Sequence, residues 1–292
     1  MGSPYPRNFA ASIFQGPTEI LMTGDGVRLH IRHWYTMGVP RGTVQIVHGL
    51  GEHIERYDDL ALALNAAGWH VAGHDLRGHG QSGGPRGRIA GENTMLVDLG
   101  AVVDHLRGTG RHILLGHSLG GLIASRFVAE SMLSSASRWS RDIDGLVLSS
   151  PALNPGLGRF RRWLAEALAH TLPNLPMRNG LNPDWISRDP AVVQAYLKDP
   201  LVHRRVTPQL VHFILQAGET VLRRAPRWRT PTLLMWAGAD RCVAPAGSAQ
   251  FANTVPRHLI TAREFPEMFH EIFNEPERQE VVDQLLAWLA RF

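Results

Sequence analysis

The sequence predicts a layered α/β fold, with a mostly parallel central sheet, helices on both faces and a helical cap insertion. Three observations predict it. Short apolar runs alternate with helical stretches from residue 43 to residue 149, which is the spacing of βαβ units. The alternation breaks at Pro151 and resumes at Thr232. Between one apolar run and the helical stretch after it lies the turn Gly116-His117-Ser118-Leu119-Gly120. Residues 1–150 and 229–292 are therefore expected to form one core, and residues 151–228 a cap inserted after the sixth or seventh strand.

Two alternating runs, residues 19–23 and 27–34, flank Gly24-Asp25-Gly26 and read as a hairpin. A strand at 43–47 ends in His48-Gly49-Leu50-Gly51. A helical pattern over 56–67 places Leu60, Leu64 and Ala67 on one face. A strand at 69–73 leads into a glycine-rich loop at 74–80, and a helix is expected over 93–107. The strand 112–115, the sharp turn, a helix over 119–131 and a strand at 143–149 complete the first block. After the insertion come a strand at 232–237, a helix at 247–254, a strand at 258–265 and a helix from Pro276 onward.

Composition narrows the function classes. The apolar share is 44% and the charged share 19%, as in ordinary globular domains. The single Cys242 excludes an internal disulfide, which fits a reducing compartment. The apolar stretch at 9–14 is too short for a signal-peptide core, and no stretch of about 18 apolar residues occurs. The chain is read as cytoplasmic, with contact to a lipid surface left open. The net charge of +4 comes from scattered arginines, and Lys198 is the only lysine. A nucleic-acid binder gathers its basic residues into a stripe, so no nucleic-acid partner is expected.

The pattern Gly-x-Ser-x-Gly occurs twice, at Ser118 and at Ser82. Only Ser118 lies between an apolar strand and a helix. That frame resembles the nucleophile elbow of the α/β-hydrolases, where a strained turn lifts Oγ out of the sheet and the helix N-terminus faces the oxyanion. Ser82 sits in a glycine-rich loop followed by Gly83-Gly84-Pro85, which cannot start a helix at once. A serine hydroxyl needs a base, and in this fold the partners follow in the order Ser, acid, His. Asp240 is the first acid after the strand 232–237, and His270 is the only histidine between the last strand and the last helix. Glu267 and Glu271 are too close to His270 in sequence to be the obvious orienting acid.

An oxyanion hole needs two converging N–H groups. The expected donors are Leu119, directly after the nucleophile, and Leu50, whose flanking glycines allow close approach. His48 is read as a residue that holds this loop. The fifteen histidines raise the question of a metal, but neither an H-E-x-x-H helix nor a Cys/His cluster occurs. His74, Asp75 and His79 are a candidate grouping around an ion. No metal and no cofactor are expected.

These motifs together resemble the monoacylglycerol lipase and lysophospholipase branch of the α/β-hydrolases, sometimes grouped with serine aminopeptidase-like hydrolases. The resemblance rests on His48-Gly-Leu-Gly-Glu-His53 with Arg56-Tyr57, His74-Asp-Leu-Arg-Gly-His-Gly-Gln-Ser82 and Gly116-His-Ser-Leu-Gly-Gly121. It continues through Gly238-Ala-Asp-Arg241, His270, Ser187-Arg-Asp-Pro190 and Tyr196-Leu-Lys-Asp-Pro-Leu201. It implies a triad of Ser118, Asp240 and His270, a lining role for Cys242, and a long-chain ester of a small alcohol, foremost monoacylglycerol, as substrate.

Within the cap, Phe160, Trp163, Leu164, Ala167 and Leu168 share one helical face. Such a face either lines an acyl tunnel, gaining about 0.8 kcal/mol per buried methylene, or packs on the core. Phe160, Trp163 and Leu164 are the candidate substrate contacts, and the cap a candidate membrane contact. The cluster Arg159, Arg161 and Arg162 suits phosphate, which keeps lysophospholipase as an alternative beside a broad carboxylesterase. A non-catalytic binding protein is the remaining alternative, but no triad member is missing.

Overall fold

The architecture is that of a computed structural model, which describes residues 18–133, 135 and 137–292. The apolar stretch at 9–14 lies outside these residues. The strands are β1 (Glu19–Met22), β2 (Arg28–Trp34), β3 (Gly42–Val47), β4 (His70–His74), β5 (Arg111–His117), β6 (Gly145–Ser149), β7 (Met177–Arg178), β8 (Arg205–Val206), β9 (Thr232–Ala237) and β10 (Ile260–Phe265). The helices are α1 (Asp58–Ala66), α2 (Thr94–Leu106), α3 (Leu119–Ser131), α4 (Arg159–Thr171), α5 (Pro190–Lys198), α6 (Pro208–Arg224), α7 (Pro245–Thr254) and α8 (Arg278–Leu289).

Eight strands form one sheet in the order β1-β2-β4-β3-β5-β6-β9-β10. β2 runs antiparallel to β1 and β4, and the remaining pairs are parallel. β5 shows why its sequence is an unbroken apolar run. Ile113 and Leu115 join a cluster with Leu60 and Leu64 of α1 and Leu285 and Trp288 of α8. Leu114, between them, joins the opposite cluster with Leu122, Ile123 and Phe127 of α3. A strand buried on both faces has no polar side to alternate with. Element ends differ slightly from the sequence reading. The last strand starts two residues late because Leu259 N–H turns back to Pro256 O at 2.9 Å.

The segment between β6 and β9 holds α4, α5, α6 and a small antiparallel ribbon of β7 and β8. Its parts are held differently. α6 buries Leu210, Phe213, Ile214 and Val221 in the same cluster as α3, and each such side chain contributes about 1.5–3 kcal/mol. Thr207 caps this helix, and Pro208 opens it. α4, by contrast, buries none of its residues.

The segment is also stitched to two core loops. His203 N–H donates to Gly51 O at 2.9 Å, and Glu271 N–H donates to Ile186 O at 2.8 Å. His53 Nε2 lies 2.7 Å from Asp199 Oδ2, and Arg188 pairs with Glu275 and Glu277. Among the described residues no helix is long and apolar enough to cross a membrane.

Candidate active site

Ser118 stands at the tip between β5 and α3 with φ 52° and ψ −118°. A non-glycine residue in that region costs about 1–3 kcal/mol and needs surroundings that hold it there. Ser118 N–H donates to Ser149 O, and its own carbonyl accepts from Leu122 N–H and Ala152 N–H, all at 3.0 Å. The glycines make room for the turn. A Cβ on Gly120 would stand 1.9 Å from Val47 O, and one on Gly116 2.6 Å from Gly121 Cα.

The topology brings the loops after β9 and β10 beside this turn. His270 Nε2 lies 2.8 Å from Ser118 Oγ, and His270 Nδ1 lies 2.6 Å from Asp240 Oδ2. The other oxygen of Asp240 accepts from Cys242 N–H at 2.7 Å and Val243 N–H at 3.0 Å. Burial works against charge on both partners. For His270 the Asp240 carboxylate outweighs burial, with help from Glu271 and Glu52, and holds the imidazole above its ordinary value. For Asp240 the His270 charge and hydrogen bond, with the two backbone N–H groups, outweigh burial and hold the carboxyl below its ordinary range. The pair is thus poised to carry an imidazolium against a carboxylate.

Leu50 lines the cleft in front of Ser118, together with Gly49, His117, Ile186, Tyr196 and Cys242. Leu119 is the first residue of α3, where a backbone N–H has no intrahelical acceptor. His48 is fully buried. Its Nε2 accepts from Leu76 N–H at 2.8 Å, and its Nδ1 lies 2.8 Å from Gly49 O, so it fixes the loop that carries Leu50. Burial, with the charges of Asp240 and Glu271 added, pushes the Cys242 thiol up. It faces the cleft as a neutral thiol, not as a thiolate nucleophile.

One expectation about residue placement changes. Phe160, Trp163 and Leu164 do not line the cleft at Ser118. They are 72%, 61% and 39% exposed, so these three side chains face solvent, while Ala167 and Leu168 of the same face are half-buried. Helical periodicity marks an apolar face but not what it faces. Ser82, as expected of a loop serine, serves structure. Its Oγ donates to Asp75 O at 2.6 Å and accepts from His30 N–H at 2.8 Å.

Among the described residues, only Asp240, Cys242 and His270 gather metal-capable donor atoms within 4.8 Å, and both nitrogens of His270 are already engaged. His74, Asp75 and His79 do not form such a group. The Asp75 carboxylate instead accepts from Ile54 N–H and Gln81 N–H.

The sequence reading missed a buried ion network beside the histidine. Arg56 binds both oxygens of Glu271 at 2.7 Å, and also Glu52 at 2.7 Å. Glu52 Oε1 accepts from Gly49 N–H at 2.6 Å and from Tyr57 Oη at 2.9 Å. The network ties the Leu50 loop to the His270 loop. Its one visible signal was an arginine one helical turn after Glu52.

Comparison with known proteins places this geometry. Residues 38–277 match the family model described as serine aminopeptidase, S33. The chain is 34% identical over 272 residues to a monoacylglycerol lipase of Mycolicibacterium smegmatis, covering 90% of this chain and 93% of that one. It is 30% identical over 257 residues to a phospholipase of Bacillus subtilis, covering 87% and 96%. The crystal structure of a Paleococcus ferrophilus monoacylglycerol lipase superposes with a TM-score of 0.80 at 35% identity, covering 90% and 98%. A family model matched over most of the chain, a full-length likeness above 30% identity and the shared sheet agree: the chain belongs to the serine aminopeptidase S33 family and has the α/β-hydrolase fold.

Proposed function

We propose that the protein hydrolyses monoacylglycerol to glycerol and a fatty acid through an acyl-enzyme on Ser118. That it is a carboxylic ester hydrolase follows from its family and its relatives. The acyl-enzyme route is carried by one observation, the hydrogen-bonded chain Asp240–His270–Ser118 at a strained strand-to-helix turn, and monoacylglycerol as substrate is supported by the likeness to monoacylglycerol lipases.

In this mechanism Ser118 Oγ attacks the ester carbonyl carbon while His270 Nε2 takes its proton. The carbonyl oxygen becomes an oxyanion that accepts from the N–H groups of Leu50 and Leu119. Asp240 stays ionised and stabilises the imidazolium. His270 then gives the proton to the glycerol oxygen, the C–O bond breaks, and glycerol leaves. Water repeats the sequence on the acyl-enzyme, and His270 returns the proton to Ser118 Oγ as the fatty acid departs.

The exposed face of α4 suits a lipid surface. Phe160 and Trp163 stand in solvent beside Arg159, Arg161 and Arg162, the mixture that lets a helix lie in a membrane interface. Turnover of monoacylglycerols, triacylglycerols and short p-nitrophenyl esters tests the substrate. Preference for monoacylglycerol, abolished by Ser118→Ala, is the expected result. Hydrolysis of the short ester alone would refute it.

A further inference from the structure

Away from the cleft, two histidines at the outer edge of the sheet turn ring nitrogens toward each other. β2 runs antiparallel to β4 and sets His33 opposite Ala72. His70 lies two residues before Ala72, so both rings stand on the same face of the sheet as diagonal neighbours. Leu29 and Ile31, which alternate with His33, pack on that face with Val102 of α2. His33 Nδ1 lies 3.5 Å from His70 Nε2, and the ring centroids are 5.7 Å apart. Tyr35 lies against both rings, at 5.5 Å from His33 and 4.5 Å from His70. None of these residues lines the cleft at Ser118.

Glu19 on β1 settles where the protons sit. Its Oε1 lies 2.7 Å from His33 Nε2 and 2.7 Å from His105 Nε2 of α2. Burial works against the Glu19 charge, but the two histidine hydrogen bonds outweigh it and hold the carboxyl below its ordinary range. A carboxylate only accepts, so His33 Nε2 carries a proton and Nδ1 of the neutral ring keeps its lone pair. Burial, with the His33 charge added, pushes the His70 imidazole down to about 4. At neutral pH that ring is uncharged and, with its proton on Nδ1, offers a second lone pair at Nε2. The 3.5 Å between the two nitrogens is long for a hydrogen bond. It is close to the roughly 3.3–3.4 Å that separates two nitrogens on a tetrahedral ion with bonds of about 2.0–2.1 Å. Metal-bound imidazoles ordinarily give their other N–H to a carboxylate or carbonyl, which is what His33 does with Glu19.

We propose that His33 Nδ1 and His70 Nε2 form a two-imidazole site for zinc or a similar divalent ion, oriented by Glu19 and completed by water. The pair offers two donor atoms where the group of Asp240, Cys242 and His270 offers three. Imidazole selects zinc, nickel or copper over magnesium and calcium. His70 is half-buried, so an ion reaches the pair from solvent. Bound there, it ties β2 to β4 at the outer edge of the sheet and stabilises the fold by mass action. The site is independent of the reading of the protein as an ester hydrolase.

The test titrates zinc chloride into the full chain by calorimetry, in buffer free of chelator, and follows the thermal melt at each zinc concentration. The wild type is expected to bind zinc and to melt about 5 °C higher at roughly a hundredfold excess of zinc over Kd. His33→Gln and His70→Gln each weaken that binding about tenfold or more, because removing a ligand costs at least as much as removing its carboxylate partner. Glu19→Gln loses the charge that orients His33 and weakens binding by about tenfold. His105→Gln leaves it nearly unchanged, since His105 only shares the Glu19 oxygen. His33 is buried, and its loss lowers the melting point by itself, so the quantity read is the rise that zinc produces, which both histidine variants abolish. Asp240, Cys242 and His270 offer zinc a second location. Binding that persists in His33→Gln and His70→Gln but is lost in Cys242→Ala puts the ion at that location and overturns the proposal. So does a wild type whose heat and melting point do not respond to millimolar zinc.

Discussion

Replacing Asp240 by Asn separates the orientation of His270 from its mere proximity. The carboxylate has two faces. One oxygen receives His270 Nδ1 at 2.6 Å, and the other receives the N–H groups of Cys242 and Val243. An asparagine has one oxygen for these two faces. Turning its NH2 toward the two backbone donors would leave two N–H groups unpaired, at about 1–3 kcal/mol each. The oxygen therefore stays with the backbone, and the NH2 points at His270. The imidazole must then accept at Nδ1 and carry its proton on Nε2, which faces Ser118. A protonated Nε2 cannot take the serine proton. The expected loss in kcat is on the order of 10⁴, or about 5.4 kcal/mol of barrier at 1.36 kcal/mol per factor of ten. Steady-state hydrolysis of a soluble p-nitrophenyl ester gives the rate, and a thermal melt shows whether the fold persists. If turnover falls by less than about tenfold in a folded protein, another acid orients His270 and the tautomer argument is wrong.

Three further outcomes are expected. A fluorophosphonate probe should label the wild type and Ser82→Ala but not Ser118→Ala, and Ser118→Ala should lower kcat by roughly 10⁴–10⁶; label retained without Ser118 would displace it as nucleophile. His270 must be neutral to accept a proton and is held above its ordinary value of 6.5, so kcat/KM should fall as pH drops through a point above that value, while the stability contributed by its ion pair is full below the unfolded value and fades as pH rises through the folded one; an acid limb below the ordinary value would contradict this. Trp163→Ala should leave the melting transition within about 0.5 kcal/mol, since the side chain faces solvent, yet weaken binding to anionic vesicles, as should charge reversal of Arg159, Arg161 and Arg162 or added salt; vesicle binding indifferent to all three would remove α4 from any role at a lipid surface.

Much of the core could be read from residue patterns because its signals are local. A buried strand, a glycine-flanked serine and a helix lie consecutively at 112–131, and their order alone limits where the base and acid can stand. What the sequence withheld depends on distant pairings. Arg56 and Glu271 are 215 residues apart, and nothing in either neighbourhood names the other. His33 and His70 meet only because β2 lies beside β4. The apolar stripe of Phe160, Trp163 and Leu164 was legible as a stripe, but amphipathicity is the same whether the face meets a core, a tunnel or water.

The backbone bonds from His203 to Gly51 and from Glu271 to Ile186 bear on how such an enzyme diversifies. Residues near 186 and 203 hold the very loops that carry Leu50 and His270, so a graft that replaces the whole insertion would disturb the reaction chemistry even if the new piece folded well. A Cβ on Gly51 would itself meet His203 O at 2.3 Å, which leaves that junction little latitude. α4 has no such ties to the two loops. Its residues can be exchanged, lengthened or recharged with the reaction geometry left in place, so adaptation to a new lipid environment, by selection or by design, has its freest path through residues 159–171.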